Sequence, residues 1–231
     1  MKIYSNNLTK TSHSTHKSGF TLAETLITIV IVGVVAALTV PSMIARYHRE
    51  QTVTKLKKAY SEIAQAIRLA EFEYGTMNSW DFGDVTSGLE RSTFFAENYL
   101  FKNLKIMKKC IPTSSECYYN DTSGSHVSAV AVSGYSMLVW VDARNIGGWI
   151  YVDINGPTKG KHITGKDVFP IKFIYKNGGL DAGDNSTKFG VWQSGLQYTE
   201  AKTREELISG NYCGALIQYD SWQIKDDNPC W

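Results

Sequence analysis

The sequence predicts an α+β fold: a long N-terminal hydrophobic helix packed on a C-terminal antiparallel β-sheet. Three observations predict it. An apolar run occupies Phe20–Val40 with a single charge inside it. The residues that follow repeat apolar side chains at alternating spacings of three and four, the mark of one helix face. From Val127 onward, β-branched and aromatic runs alternate with turn residues, the mark of strands. With 231 residues, 43% of them hydrophobic, the chain is long enough for one domain with a core plus a further element, and too apolar to be disordered.

The first element is the apolar run. Met1–Gly19 before it is polar and contains Lys2, Lys10 and Lys17 but no acid. Phe20–Val40, as a helix, is about 32 Å long, which matches the roughly 30 Å hydrocarbon core of a bilayer. A positive flank ahead of the run predicts that the start stays cytoplasmic and the rest crosses. The run fits a secretory signal peptide with Val35-x-Ala37 as its cleavage site. It also fits a plain single-span anchor, or a precursor cut ahead of its apolar run. Glu24 separates these readings. A carboxylate in such a span costs about 2.5–3.5 kcal/mol on insertion scales. Neither a signal peptide nor a simple anchor gains by that cost, so a partner for Glu24 is expected.

Lys17-Ser18-Gly19-Phe20-Thr21-Leu22-Ala23-Glu24, followed by Thr25-Leu26-Ile27 and with Pro41 just past the run, resembles the prepilin cleavage and methylation motif of type IV pilins and type II secretion pseudopilins. The resemblance implies that a prepilin peptidase cuts between Gly19 and Phe20 and methylates the new amine of Phe20. It implies that Glu24 meets the Phe20 amine of a neighbouring subunit in a filament, since a buried ion pair is tolerated where a lone buried charge is not. It also implies a pilin-like fold, a bacterial inner-membrane location with the globular part outside the cytoplasm, other pilins or pseudopilins as partners, and an inner-membrane assembly platform. In related filaments the stretch around Gly33 and Pro41 can partly melt. Both residues are expected to interrupt the helix, Gly33 by low propensity and Pro41 by loss of a backbone donor.

The second element is the continuation of that helix over residues 41–75. Val53, Leu56, Tyr60, Ile63, Ile67, Ala70 and Tyr74 form a narrow stripe, while Lys55, Lys57, Lys58, Glu62, Arg68, Glu71 and Glu73 lie off it. The stripe fits either packing on the chain's own sheet, the preferred reading, or a coiled-coil seam. Gly75 is the expected stop. If straight, Phe20–Tyr74 runs about 80 Å. Arg46, His48, Arg49, Lys55, Lys57 and Lys58 form a basic cluster. With a net charge of +2, three leader lysines of which leave −1 on the remainder, the chain has no basic stripe of the kind nucleic-acid binders carry. The cluster fits either a nucleic-acid contact or, the preferred reading, a solvated helix face near lipid headgroups.

Residues 76–231 form the globular part. Thr76–Ser125 is irregular, with a short helix expected around Arg91–Leu104. Strands are expected at Val127–Ser133, Tyr135–Asp142, Gly148–Ile154 and Val168–Tyr175. The second and third make a hairpin about the turn Arg144–Gly148, and Pro170 places the last at a sheet edge. Asn177–Lys188 reads as a loop, and Thr199–Ser209 as a helix with Thr199 as its cap. Ala215–Ile224 reads as a final strand. Cys110, Cys117, Cys213 and Cys230 show neither CxxC spacing nor a histidine at zinc-finger distance, so disulfides in an oxidising compartment are preferred to zinc. Three connectivities are open; the local one, Cys110–Cys117 with Cys213–Cys230, closes the shortest loops.

Tyr151–Gly160 together with Gly165–Phe169 resembles a segment of exported pilin-like proteins of the type II secretion group. Asp153, Asn155 and Asp167 offer the oxygen ligands that calcium takes, although the closing Glu of an EF-hand loop is missing. The competing reading is Asx-turn chemistry shaping a tight loop at Gly156-Pro157. Catalytic patterns are lacking. His13, His16 and the Ser14-x-x-Lys17 pair lie in the leader. His48, His126 and His162 have no neighbouring Cys or carboxylate arrangement in the sequence. Ser136 lacks the second Gly of a nucleophile elbow, and neither a P-loop nor GxGxxG occurs. The expected function is structural, as a pilus or pseudopilus subunit; the alternative is a secreted or anchored adhesion module that does not polymerise.

Overall fold

The computed structural model describes residues 19–80, 87–119, 124–142, 147–174, 188–193, 196–197, 203–210 and 212–231. The chain divides into two compact units, the second beginning at Tyr47. A single helix, α1, runs from Leu22 to Tyr74. Neither Gly33 nor Pro41 ends it, contrary to the expected interruption. Four of its hydroxyls are satisfied locally. The hydroxyls of Thr25, Thr28, Thr39 and Ser42 each donate to a carbonyl three or four residues earlier, at 2.8–3.1 Å. The helix stops where expected, at Gly75, whose φ of +83° suits glycine.

In the second unit α1 buries Leu56, Ala59, Ile63, Ala66, Ile67 and Ala70. This is the expected stripe widened by two alanines. Val53 and Tyr60 pack at its margin, whereas Tyr74 is exposed and packs edge-on against Tyr99 at 5.3 Å. The stripe meets the chain's own sheet, which disposes of the coiled-coil seam: Leu56, Ile63 and Ile67 share one core with Met137, Val139, Ile150, Phe169 and Phe173.

The sheet is an antiparallel meander. Its first five strands are β1 (Ile106–Cys110), β2 (Val127–Ala131), β3 (Ser136–Val141), β4 (Gly147–Asp153) and β5 (Val168–Ile174). The strands β6 (Lys188–Gln193) and β7 (Leu196–Gln197) extend it. Four strands fall where the sequence places them, and β3 and β4 pair as the expected hairpin; the turn residues 143–146 lie outside the described residues. β1 and β6 were not expected. β5 is not an edge strand, because β6 pairs with its Ile171–Ile174 end. Pro170 sits just before that paired stretch, so the ladder on that side does not use its missing N–H.

A second helix, α2 (Gly88–Phe95), shares the inner face of the sheet with α1. A capping box between Ser87 and Glu90 starts it three residues earlier than expected. It passes into a π-turn at Ala96–Leu100 and a 3₁₀ turn at Phe101–Asn103. Phe95 stacks on Phe173 at 4.6 Å, and the Ser92 hydroxyl accepts the Val141 N–H at 3.0 Å. Gly148 lets this layer close: a Cβ there would stand 2.3 Å from the Trp140 carbonyl and 2.6 Å from the Phe173 ring.

At the C-terminus, α3 (Arg204–Ser209) is capped by Thr203 in a capping box with Glu206, not by Thr199, which lies outside the described residues along with most of the Asn177–Lys188 loop. The expected strand Ala215–Ile224 is instead a helix, α4 (Cys213–Tyr219). A short apolar run does not distinguish strand from helix. Here Cys213, Ala215, Leu216 and Ile217 are all buried, so the run has no solvent face to reveal its period. The chain reverses at Ser221 and Trp222, both at positive φ, and Trp222 packs on Tyr60 at 5.2 Å.

Candidate assembly site

The start of α1 is organised around two side chains. Thr21 is the residue before the helix, and its hydroxyl accepts the Glu24 N–H at 3.3 Å. Glu24 returns the bond: its Oε2 accepts from the Thr21 N–H at 2.9 Å and from the Thr21 hydroxyl at 2.8 Å. This is a capping box, T-x-x-E, which satisfies two N–H groups that the first turn of a helix leaves without partners. The negative charge also lies at the positive end of the helix dipole. The T-x-x-E spacing of Thr21 and Glu24 in the sequence is the signal for this cap. The Gly19–Phe20 peptide precedes the helix. A side chain at Gly19 would meet nothing within 4 Å, and Phe20 is 89% exposed.

Beyond the cap, α1 presents unburied apolar surface. Leu26, Ile27, Ile29, Val30, Ile31, Val32, Val34 and Val35 are each more than half exposed. The most apolar 18-residue window has a mean hydropathy of 2.5 and no buried residue. Its length and composition allow it to cross a membrane.

The second unit holds the remaining candidates. Asp153, Asn155 and Asp167 do come together, but as a closed hydrogen-bond network. Asp153 Oδ1 accepts the Asn155 N–H at 3.0 Å, an Asx turn, and Oδ2 lies 2.6 Å from His162 Nδ1. Asn155 Oδ1 accepts from Lys55 Nζ at 2.7 Å, and its Nδ2 donates to Asp167 Oδ1 at 2.8 Å. Asp167 Oδ2 accepts the N–H groups of Lys161 and Ile163 at 3.2 and 3.4 Å. Every side-chain oxygen of the three thus faces a nitrogen. Among the described residues no group of three or more His, Cys, Asp or Glu is placed to hold a metal. The bond from the Asn155 N–H to Asp153 is an Asx turn of the kind the second reading expects.

His162, which has no partner in the local sequence, is therefore joined to a carboxylate after all. Asp153 is fully buried, and burial pushes its carboxyl above the usual range, opposed by the bonds from Asn155 and His162. His162 has φ +54° and stacks on Tyr119 at 4.1 Å. No sequence spacing announces this pair; it needs the loop after β4 to fold back.

Disulfides join Cys110 to Cys117 and Cys213 to Cys230. The second braces the C-terminal segment against Gly165, where a Cβ would stand 2.9 Å from Cys230 Sγ. Within the basic cluster, Arg49 pairs with Asp226 at 2.5 Å and Lys55 binds Asn155, so two of its members serve the chain's own packing.

The capped apolar helix, followed by a stripe that packs on an antiparallel sheet, defines a type IV pilin-like protein. Residues 14–40 match the prokaryotic N-terminal methylation motif. Residues 42–231 match the family of unknown function DUF6613, and the chain belongs to this family. No curated protein and no solved structure matches the chain.

Proposed function

We propose that the protein is a structural subunit of a type IV pilus or a type II secretion pseudopilus. A prepilin peptidase cuts between Gly19 and Phe20, ahead of the helix, and methylates Phe20. The mature chain sits in the bacterial inner membrane through the first part of α1, with the second unit outside the cytoplasm. An assembly platform then moves it into a filament with other pilins or pseudopilins. The observation that carries this reading is the pairing of an unburied apolar stretch of α1 with one carboxylate in its first turn, under a matched methylation motif. In the filament the Phe20 amine of a neighbour reaches Glu24, replacing water around a charge that is otherwise costly to bury.

The test separates capping from pairing. Gln serves at the third helical position of a capping box nearly as well as Glu. Glu24→Gln therefore keeps the helix start and removes only the charge. The expected result is a membrane-inserted, processed protein whose recovery in sheared filaments falls about tenfold. Wild-type recovery of Glu24→Gln in filaments sinks the pairing. Mass spectrometry of the mature protein checks the processing step: a chain beginning with N-methylated Phe20 supports it, and one beginning near Leu38 points to a secreted module instead.

A further inference from the structure

The outward face of the sheet, opposite α1 and α2, carries large aromatic rings where a solvated antiparallel face ordinarily carries polar side chains. Trp140 on β3 and Trp149 on β4 are register partners and stack at 4.5 Å. A stacked cross-strand pair is an ordinary stabilising device. The rings beside it go further. Tyr119, His126, Trp140 and Tyr151 stand half-buried around a hollow of about 550 Å³ whose floor includes Leu138 and Val168. That volume falls in the range of about 300–1,000 Å³ typical of small-molecule sites.

The walls are set in advance. Cys117 is fully buried in its disulfide to Cys110, which holds the loop that delivers Tyr119. The Tyr119 ring is braced by its stack on His162, which Asp153 in turn fixes. His126 meets Trp140 edge-on at 6.3 Å. Ring faces fixed in this way lose little conformational freedom when a ligand arrives.

We propose that this hollow binds a neutral glycan. No charged side chain lines it among the described residues, which leaves no ion-pair partner for an anionic ligand. It offers flat apolar ring faces, and around them phenol hydroxyls and an indole N–H, which together donate and accept hydrogen bonds. A pyranose has the matching surface: a face of C–H groups that lies on an aromatic ring, and a rim of hydroxyls that both donate and accept. A proline-rich peptide also lies on aromatic rings, but proline has no N–H, so the acceptors of the hollow would go unused. The site depends on the second unit alone and is independent of whether the chain polymerises.

The test uses the full chain in a detergent without a sugar headgroup, followed by tryptophan emission. The probes are neutral hexasaccharides of glucose, galactose and N-acetylglucosamine, and a proline-rich decapeptide. The expected result is a saturable emission change with at least one hexasaccharide. Trp140→Ala should weaken it about tenfold. Tyr151→Phe, which keeps the ring and the packing, should weaken it by a smaller factor. Phe72→Ala, at a 92% exposed position on α1, should leave it unchanged. Near-UV circular dichroism establishes that each variant is folded, and Tyr151→Phe decides the matter if Trp140→Ala is not. Binding of the peptide alone, binding of no hexasaccharide, or glycan binding indifferent to the folded Trp140 and Tyr151 variants overturns the proposal.

Discussion

The two ends of α1 are similar in helical content and opposite in what satisfies them. Near its start, Leu26, Ile27 and Val30 are 56%, 61% and 63% exposed. Farther along, Leu56, Ile63 and Ala66 are completely buried against the chain's own core. The difference follows from the sequence pattern. Residues after Pro41 place apolar groups on one stripe, with charges elsewhere, so one covered face suffices. Phe20–Val40 is apolar all round, so no single sheet could cover it. A helix apolar on every side needs a bilayer or a bundle of other helices. The chain therefore carries its own partner for one end and must find the other outside itself.

If that contrast holds, damage to the second unit should leave membrane insertion intact. The largest effect is expected from Gly148→Ala. The new methyl would lie 2.3 Å from a backbone oxygen, which cannot rotate away. A loss of more than about 4 kcal/mol is expected, enough to unfold a domain of ordinary stability. A thermal melt should show no cooperative sheet transition, while the protein still fractionates with membranes. A wild-type melting profile would show that the sheet does not close over Gly148 as described.

Next in size is a matched pair along α1. Ile63→Ala opens a cavity in the core and should cost about 3 kcal/mol. Ile27→Ala removes the same atoms from an exposed position outside the core, and should shift the domain's melting temperature by less than the error of measurement. Filament yield should respond in the reverse order, provided Ile63→Ala remains folded at the assay temperature. Equal thermal shifts for the two variants would erase the distinction between the ends.

The sequence made the periodic elements plain and hid those whose cause is tertiary. The α1 stripe, its stop at Gly75 and strands β2 to β5 follow from spacing and turn residues. The strand β1, with its run of Met107, Lys108 and Lys109 on the sheet margin, is too polar to stand out. The first five residues of the helix α4, Cys213–Ile217, are all buried and so give no amphipathic signature. Ala59 and Ala66 are fully buried on the packed face of α1, a fact that mild hydrophobicity does not advertise. At the candidate site, Thr21 and Glu24 carry a T-x-x-E cap, and so do Thr203 and Glu206, where Thr199 was the expected cap. The Asp153–His162 pair was not legible, because residues nine apart meet only when the intervening loop has folded.

The smallest expected effect concerns the C-terminal segment, which the second unit holds by charge as well as by its disulfide. Arg204 donates to both oxygens of Asp220 at 2.8 and 2.9 Å and to both of Asp227 at 2.7 Å, while Lys225 reaches Asp220 at 2.7 Å. The Asp220 side chain is only 2% exposed. The bond from Arg204 holds the Asp220 carboxyl below its ordinary value, with Lys225 adding to this, and it holds Asp227 below its own as well. A carboxylate whose folded pKa is depressed stabilises the fold above its unfolded pKa, about 3.9. That contribution fades as pH falls through the lower folded value. The segment should thus be fully held at pH 5 and loosen only below about pH 3.9. Asp220→Asn should cost about 2 kcal/mol at neutral pH, the typical worth of hydrogen bonds to a charged group, and should flatten the acid side of the stability profile. The reading is simple because the apolar end of α1 has no counterpart of this network, so Ile27→Ala should retain the wild-type acid slope. An acid slope unchanged by Asp220→Asn would mean that the disulfide and α4 packing hold the segment without the ion pairs.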